Sequence, residues 1–369
     1  WIEFALAFIL GFLILYIPGF TLLRAIRFDF GFSSLFAPVV SISLLALLTT
    51  AYGALNSVLG IPTLLLAFFL LLSQRYCFPQ KSAEALSLSK QDAITLGLYI
   101  LVGLILCIAL FIKQLDEPNS FYNRVDNVTH INLIQAFIES GDGSHSLQAT
   151  TFLLQQPHWN TAAVFILQGA LIVALIVQIL QTSIPLGINA TNAIFISIVY
   201  PSSIFLLLQC LFKEDRLLII VGSVIALAFT AFPWGFFLKG PLYPNLASFC
   251  LMPLVIATFM LFVNKKLWKT SPAQFLIVAF MAFIALALAQ TNALFSCLVF
   301  FTCFLASFLY KQPFSISVFQ NRKILAPACL VFGAAIVWFI CFKLPFLQTT
   351  VFLLPVIIVL PTSPKSISR

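Results

Sequence analysis

Ala93-Ile-Thr-Leu-Gly-Leu-Tyr-Ile-Leu-Val-Gly-Leu-Ile-Leu-Cys-Ile-Ala-Leu-Phe-Ile112 runs without a charge and gives way at once to Lys113-Gln-Leu-Asp-Glu117. At ~1.5 Å per helical residue such a run matches a hydrocarbon core of about 30 Å. Similar runs recur along the 369 residues, which are 62% hydrophobic and 8% charged, with 41 phenylalanines. No soluble core could bury that much apolar surface. A spanning barrel would show short segments of alternating polarity, and these runs do not alternate. The chain therefore reads as an all-α integral membrane protein, multi-pass, in the cell membrane.

The net charge of +8 does not point to nucleic acid, because the basic residues sit in short clusters between apolar runs: Arg24 and Arg27; Arg75, Lys81 and Lys90; Lys265, Lys266 and Lys269; Arg322 and Lys323. That is the distribution of cytoplasmic loops. It places the N-terminus outside, with spans near residues 2–23, 35–55, 61–72 and 93–112, and residues 113–158 outside again. From the other end, spans near 246–263, 273–289, 293–310, 324–342 and 346–360 follow. Two apolar runs between, 161–180 and 190–212, cannot both cross if Lys213 to Arg216 lies inside. The run 161–180, with Gln168 and Gln178, is the one expected to enter and leave on one side. The total is about 11 spans. The organisation is then 1–112, N-terminal transmembrane helices; 113–160, an extracytoplasmic loop; and 161–369, a transmembrane core that looks truncated at its C-terminus. The eight cysteines lack metal or disulfide spacing and read as small buried hydrophobes.

Chemistry concentrates in the loop. All three histidines, His130, His145 and His158, fall there, with Asp116, Glu117, Asp126, Glu139 and Asp142. Within it, Val128, Ile131, Ile134, Phe137 and Ile138 form a helical stripe, ended by Ser140-Gly-Asp-Gly143. An amphipathic helix on the outer membrane surface is expected, capped by Asp126 or Asn127, with Asp126 and His130 on the face opposite the stripe. Asp126 with His130 suits a general base with an orienting partner, or a divalent cation; a helix cap with a solvated neighbour is the plainer reading. His158-Trp-Asn160 offers a cation, an aromatic platform and an amide, or simply an interfacial anchor. Lys239, the sole basic residue between Arg216 and Lys265, could meet a lipid phosphate or snorkel. Phe232-Pro-Trp-Gly235, Gly240-Pro-Leu-Tyr-Pro-Asn245 and Gln290-Thr-Asn292 are expected at outer span ends. No Walker loop, dinucleotide fingerprint, paired-cysteine metal site or Gly-x-Ser-x-Gly elbow occurs.

The order of span, outer acidic loop, amphipathic helix and proline-aromatic motif resembles the membrane glycosyltransferases of the GT-C fold, in the branch of protein mannosyltransferases and lipid A aminoarabinose transferases. There the loop reads Asp-Glu-x-x-Tyr, a helix ending in Ser-Gly-Asp, then Pro-Pro-Leu-x-x-Trp; here Asp126-Asn-Val-Thr-His130, Glu139-Ser-Gly-Asp142 and Gln156-Pro-His-Trp159 stand in those places. More closely, Asp126-x-x-x-His130-x-Asn132, Asn192, Tyr200-Pro201, Phe232-Pro-Trp-Gly235, Tyr243-Pro-Asn-Leu246 and Thr291-Asn-Ala-Leu-Phe295 resemble the motifs of a GT-C-like family of bacterial multi-pass membrane proteins of uncharacterised activity. Departures are Asn127 for the second acid, His130 for the tyrosine, and Gln290-Thr-Asn292 for His-Pro-Asn.

The resemblance implies a sugar transferred with inversion from a polyprenyl-phosphate donor to an extracytoplasmic, cell-envelope acceptor. Asp126 would act as base with His130 orienting it. His158, Trp159, Lys239, Tyr243, Asn245 and Asn292 would bind substrate, with no cofactor or a divalent cation implied. Competing readings are a transporter or lipid flippase, and a non-catalytic assembly subunit.

Overall fold

The computed structural model describes residues 1–54, 88–121, 125–140, 167–212, 215–238, 243–263, 272–289, 293–294 and 296–302. The chain divides into two units, Trp1–Cys297 and Leu298–Arg369. In the second, the described residues are 298–302, where Thr302 Oγ1 donates to Leu298 O at 2.8 Å.

In the first unit the regular structure among the described residues is helical: α1 (Ile2–Ala25), α2 (Phe30–Ala54), α3 (Lys90–Leu110), α4 (Val125–Ser140), α5 (Leu167–Leu180), α6 (Ile184–Leu211), α7 (Arg216–Ala228), the single turn α8 (Gly235–Leu238), α9 (Tyr243–Val263) and α10 (Pro272–Ala289). Among the described residues, four stretches are long and apolar enough to cross a membrane: Ile2–Ala25, Lys90–Gln114, Ile184–Leu211 and Arg216–Trp234. The apolar side chains turned outward on α1 and α3, among them Leu6, Ile9, Leu98, Leu101 and Ile105, are those a bilayer would cover.

Polar contacts fix the direction of each helix. Gln209, near the end of α6, donates to Asp92 in the first turn of α3 at 2.7 Å. At the other end Asn189, near the start of α6, donates to the carbonyls of Pro118 (3.0 Å) and Ser120 (2.8 Å) beyond α3. The two helices are therefore antiparallel. The space facing Gly11 on α1 is occupied by Ile194 of α6, and further along Tyr16 meets Ser202, so α1 runs parallel to α6. Gln274, in the first turn of α10, donates to Ile26 O at 2.7 Å, which puts the start of α10 beside the end of α1. Arg24, Arg27, Lys90 and Arg216 thus gather at one end of the bundle, as the basic clusters require. Pro118 and Asn189 share the opposite end.

Capping chemistry sets the turns. Ser89 and Asp92 form a reciprocal capping box at the start of α3. Arg27 (φ 76) ends α1 in the left-handed region, with Phe28 N donating to Leu23 O at 3.0 Å; Asp29 then accepts from Phe32 N at 2.8 Å to open α2. The two helices close so tightly that Gly19 N donates to Ser41 Oγ at 2.7 Å, and a Cβ at Gly19 would strike the Ala37 carbonyl. Gln181 (φ 52) ends α5 in the same left-handed way and Ser183 caps α6, forming a helical hairpin in which Gly187 faces Val173 and Val177.

At two of the prolines the helical path changes form. Pro201 has no N–H to offer the Ser197 carbonyl, and residues Phe195–Val199 widen into a π turn while α6 continues. Pro233 follows the end of α7: Phe229 and Phe232 are extended, the Phe232–Pro233 peptide is cis, and the chain restarts as α8.

Candidate functional site

Helix α4 carries the acid singled out by the sequence. It begins at Val125, so Asp126 lies in the first helical turn and not at the cap position before it. The apolar stripe is placed differently from expectation. Ile134 is buried, with Ile131 and Ile138 packed alongside, in a cluster made by Leu171, Val173, Leu175 and Val177 of α5 and Ile184 and Ile188 of α6. Those three side chains face protein. Val128, expected in the same stripe, is exposed.

Asp126, His130 and Ile134 succeed one another four residues apart, and at about 100° per residue such a row climbs one side of a helix. The row ends in the buried Ile134, and His130, one turn before it, flanks the docked face and does not oppose it. His130 is half-buried. Beyond it, Gln135 Nε2 donates to Glu139 Oε1 at 2.7 Å on the exposed side, and Gln178 Nε2 reaches Ile138 O at 3.4 Å, tying the end of α4 to α5.

The same end of the bundle holds the Asp116-Glu117 segment. Ser120 Oγ accepts from Glu117 N at 2.9 Å, Ser120 N donates to Glu117 O at 3.0 Å, and the Asn189 amide holds the turn from below. Asn189 was not among the residues anticipated. Nothing marks it in sequence, since its partners are backbone carbonyls about seventy residues away.

A second cluster forms from motif residues. The Tyr200 ring meets Phe232 edge-on at 5.0 Å, and Phe232 packs against Phe236 (5.3 Å) and Phe249 (5.7 Å). Trp234 Nε1 donates to Leu227 O at 2.8 Å, satisfying a carbonyl freed by the end of α7. Tyr200 lies between Asn189 and Gln209 on α6, and the Phe232-Pro-Trp-Gly235 segment packs beside it where the apolar stretch Arg216–Trp234 ends. Further along α6 towards Asn189, the buried Asn192 Nδ2 has no hydrogen-bond partner.

Of the other anticipated residues, Asn245 is half-buried in the first turn of α9, where its carbonyl accepts from Ser248 Oγ at 2.8 Å, and Tyr243 opens that helix. His158, Trp159, Lys239 and Asn292 lie outside the described residues. Among the described residues no three His, Cys, Asp or Glu side chains come together as a metal-binding group. Cys107, Cys250 and Cys297 are free and buried, in keeping with their reading as hydrophobes.

No curated protein and no solved structure matches the chain. A family of unknown function, DUF6541, matches residues 12–353, which spans α1 to α10 and both motif clusters. The chain belongs to the DUF6541 family.

Proposed function

We propose that this protein is a membrane-embedded glycosyltransferase that moves a sugar from a polyprenyl-phosphate donor to an acceptor hydroxyl at the Asn189 end of the bundle. The observation that supports the reading is the seating of α4, where Ile131, Ile134 and Ile138 lock the helix that carries Asp126 and His130 onto α5 and α6. A base fixed at a bilayer boundary is placed for a donor whose lipid tail stays in the membrane. In the proposed step Asp126 takes the acceptor proton as its oxygen attacks the anomeric carbon, the carbon–oxygen bond to phosphate breaks, and configuration inverts. His130 orients the base. His158, Trp159, Lys239, Tyr243, Asn245 and Asn292 supply the donor site, with Lys239 facing the departing phosphate. A divalent cation is an optional aid in this scheme.

The test is transfer from a radiolabelled polyprenyl-phosphate sugar in membranes holding the full chain or Asp126→Asn. Loss of roughly 100-fold or more is expected for a general base; equal rates would remove Asp126 from the chemistry.

One observation favours a second reading. A broken helix, as α7 is beside Tyr200, is the construction of many transporters, and translocation of a lipid-linked substrate is the alternative. A fluorescent-lipid scrambling assay in proteoliposomes separates the two, because a transferase leaves the lipid on its own leaflet.

A further inference from the structure

Interruptions of the helices gather in one layer. Pro18 in α1, Pro38 in α2, Pro201 in α6 and Pro253 in α9 each lie inside a helix, and Pro233 lies in the break after α7. Contacts set their heights. Pro201 adjoins Ser202, which faces Tyr16 on α1, two residues before Pro18. Gly19 N donates to Ser41 Oγ and its Cα backs onto the Ala37 carbonyl, so Pro38 stands beside Pro18. Phe232 meets both the Tyr200 ring and Phe249, and Pro253 follows Phe249 by one turn. On α3 the residue at this height is Gly103, against Pro201. At ~1.5 Å per residue, all lie within roughly 6 Å of Pro201 along the bundle axis.

Each of these is a soft point. A proline inside a helix removes one rung and crowds the carbonyl four residues earlier. In α1 the loss is doubled, because the next amide, Gly19 N, is turned towards Ser41 on α2. Thr21 Oγ1 then bonds back to the Ile17 and Pro18 carbonyls, both at 2.9 Å, a contact that bends helices. α6 carries its π turn here, over Phe195–Val199, and glycine is a weak residue in the interior of a helix such as α3. The two halves are tied separately. On the Asn189 side, that amide holds Pro118 and Ser120, and Ile14 of α1 and Leu45 of α2 join Ile134 of α4 in the cluster built on α5. On the Arg24 side, Gln209 holds Asp92 and Gln274 holds Ile26 O. None of these ties crosses the layer. α10 has its proline at the start and none further in, but Leu276, Ile277, Phe280 and Phe283 leave one flank exposed, and such an edge helix can follow by tilting whole.

We propose that the bundle is hinged at this layer, so that the Asn189 half, with α4 and α5, tilts as one body on the Arg24 half. A hinge absorbs its angle at a few positions between packed bodies. Here those positions are missing or diverted backbone bonds, so bending breaks no further hydrogen bond in a medium that would not replace it. The helix bearing Asp126 and His130 rides on the moving half. The hinge does not depend on any transfer activity.

The experiment is double electron–electron resonance on the full chain in nanodiscs, with spin labels carried on non-canonical residues at exposed positions. Leu6 with Leu217 spans the layer, whereas Phe30 with Leu217 and Leu6 with Phe121 each stay within one half. The distance distribution of the spanning pair should be about twofold broader than either of the others. Pro18→Ala with Pro38→Ala, which returns both amides, should narrow it by roughly half and leave the other two unchanged. Pro253→Ala alone, a change confined to α9, should narrow it in the same direction. A native spanning pair as narrow as the others, pairs within one half as broad as the spanning one, or a width untouched by every proline replacement would each overturn the proposal.

Discussion

Pro201 and Pro233 pose the same problem, a missing N–H within a bundle that offers no water, and the molecule answers it in two ways. At Pro201 the helix absorbs the fault. The ladder widens over Phe195–Val199, and Gly103 on α3 leaves room beside the Ser197 carbonyl; a Cβ there would lie 2.7 Å from both that oxygen and Pro201 Cγ. At Pro233 the helix stops, and the freed carbonyl of Leu227 receives a side-chain donor, Trp234 Nε1. The first solution needs a small neighbour and keeps the axis; the second needs an aromatic donor and redirects the chain. The contrast shows that a neighbour's size and donors, more than the proline itself, decide whether a spanning helix continues.

The largest effect should come from removing the small neighbour. Gly103→Val forces a side chain against the π turn and should cost about 1–3 kcal/mol as overpacking, read as a lowered unfolding midpoint in detergent; an unchanged midpoint would mean α3 and α6 part freely. Trp234→Phe keeps the ring but orphans the Leu227 carbonyl, and should cost roughly 1–3 kcal/mol, with a matching loss in the same assay. If it costs nothing, the α7 break does not need its donor. Pro201→Ala returns an N–H to the π turn and is expected to stabilise by less than ~1 kcal/mol, whereas a clear loss would show that the proline ring packs usefully against Gly103. Tyr200→Phe removes only a long, 3.4 Å bond to the Ala226 carbonyl and should change the midpoint least, under ~1 kcal/mol, while leaving the ring contact with Phe232 in place.

These outcomes bear on what sequence could reveal. The stripe in residues 126–139 revealed α4, with the start expected two or three residues after Val125, because amphipathic periodicity is local. The basic clusters likewise foretold which helix ends share a face, since Arg24, Lys90 and Arg216 were already grouped by the logic of insertion. Periodicity did not say what the stripe would meet. A row of isoleucines is the same whether it faces acyl chains or α5, so Ile134 was assigned to the membrane surface and His130 to the side opposite the stripe. The extent of α6 was hidden too: Pro185 reads as a break, yet it occupies the first turn of a 28-residue helix, where a proline costs nothing. The π turn has no signature beyond Tyr200-Pro201, and the role of Gly103 depends on a carbonyl of another helix.

The Asn189 clamp has a consequence for how this chain tolerates change. Both of its bonds go to main-chain oxygens, those of Pro118 and Ser120, so this part of the hold does not depend on which side chains stand at those positions, while Ser120 Oγ adds its own bond to Glu117 N. Replacements at 115, 116, 119 and 121 can alter what is offered to the surroundings while the amide keeps its two acceptors. An aspartate at position 189, equal in size but lacking those hydrogens, would set its oxygens against two carbonyls and let the segment go.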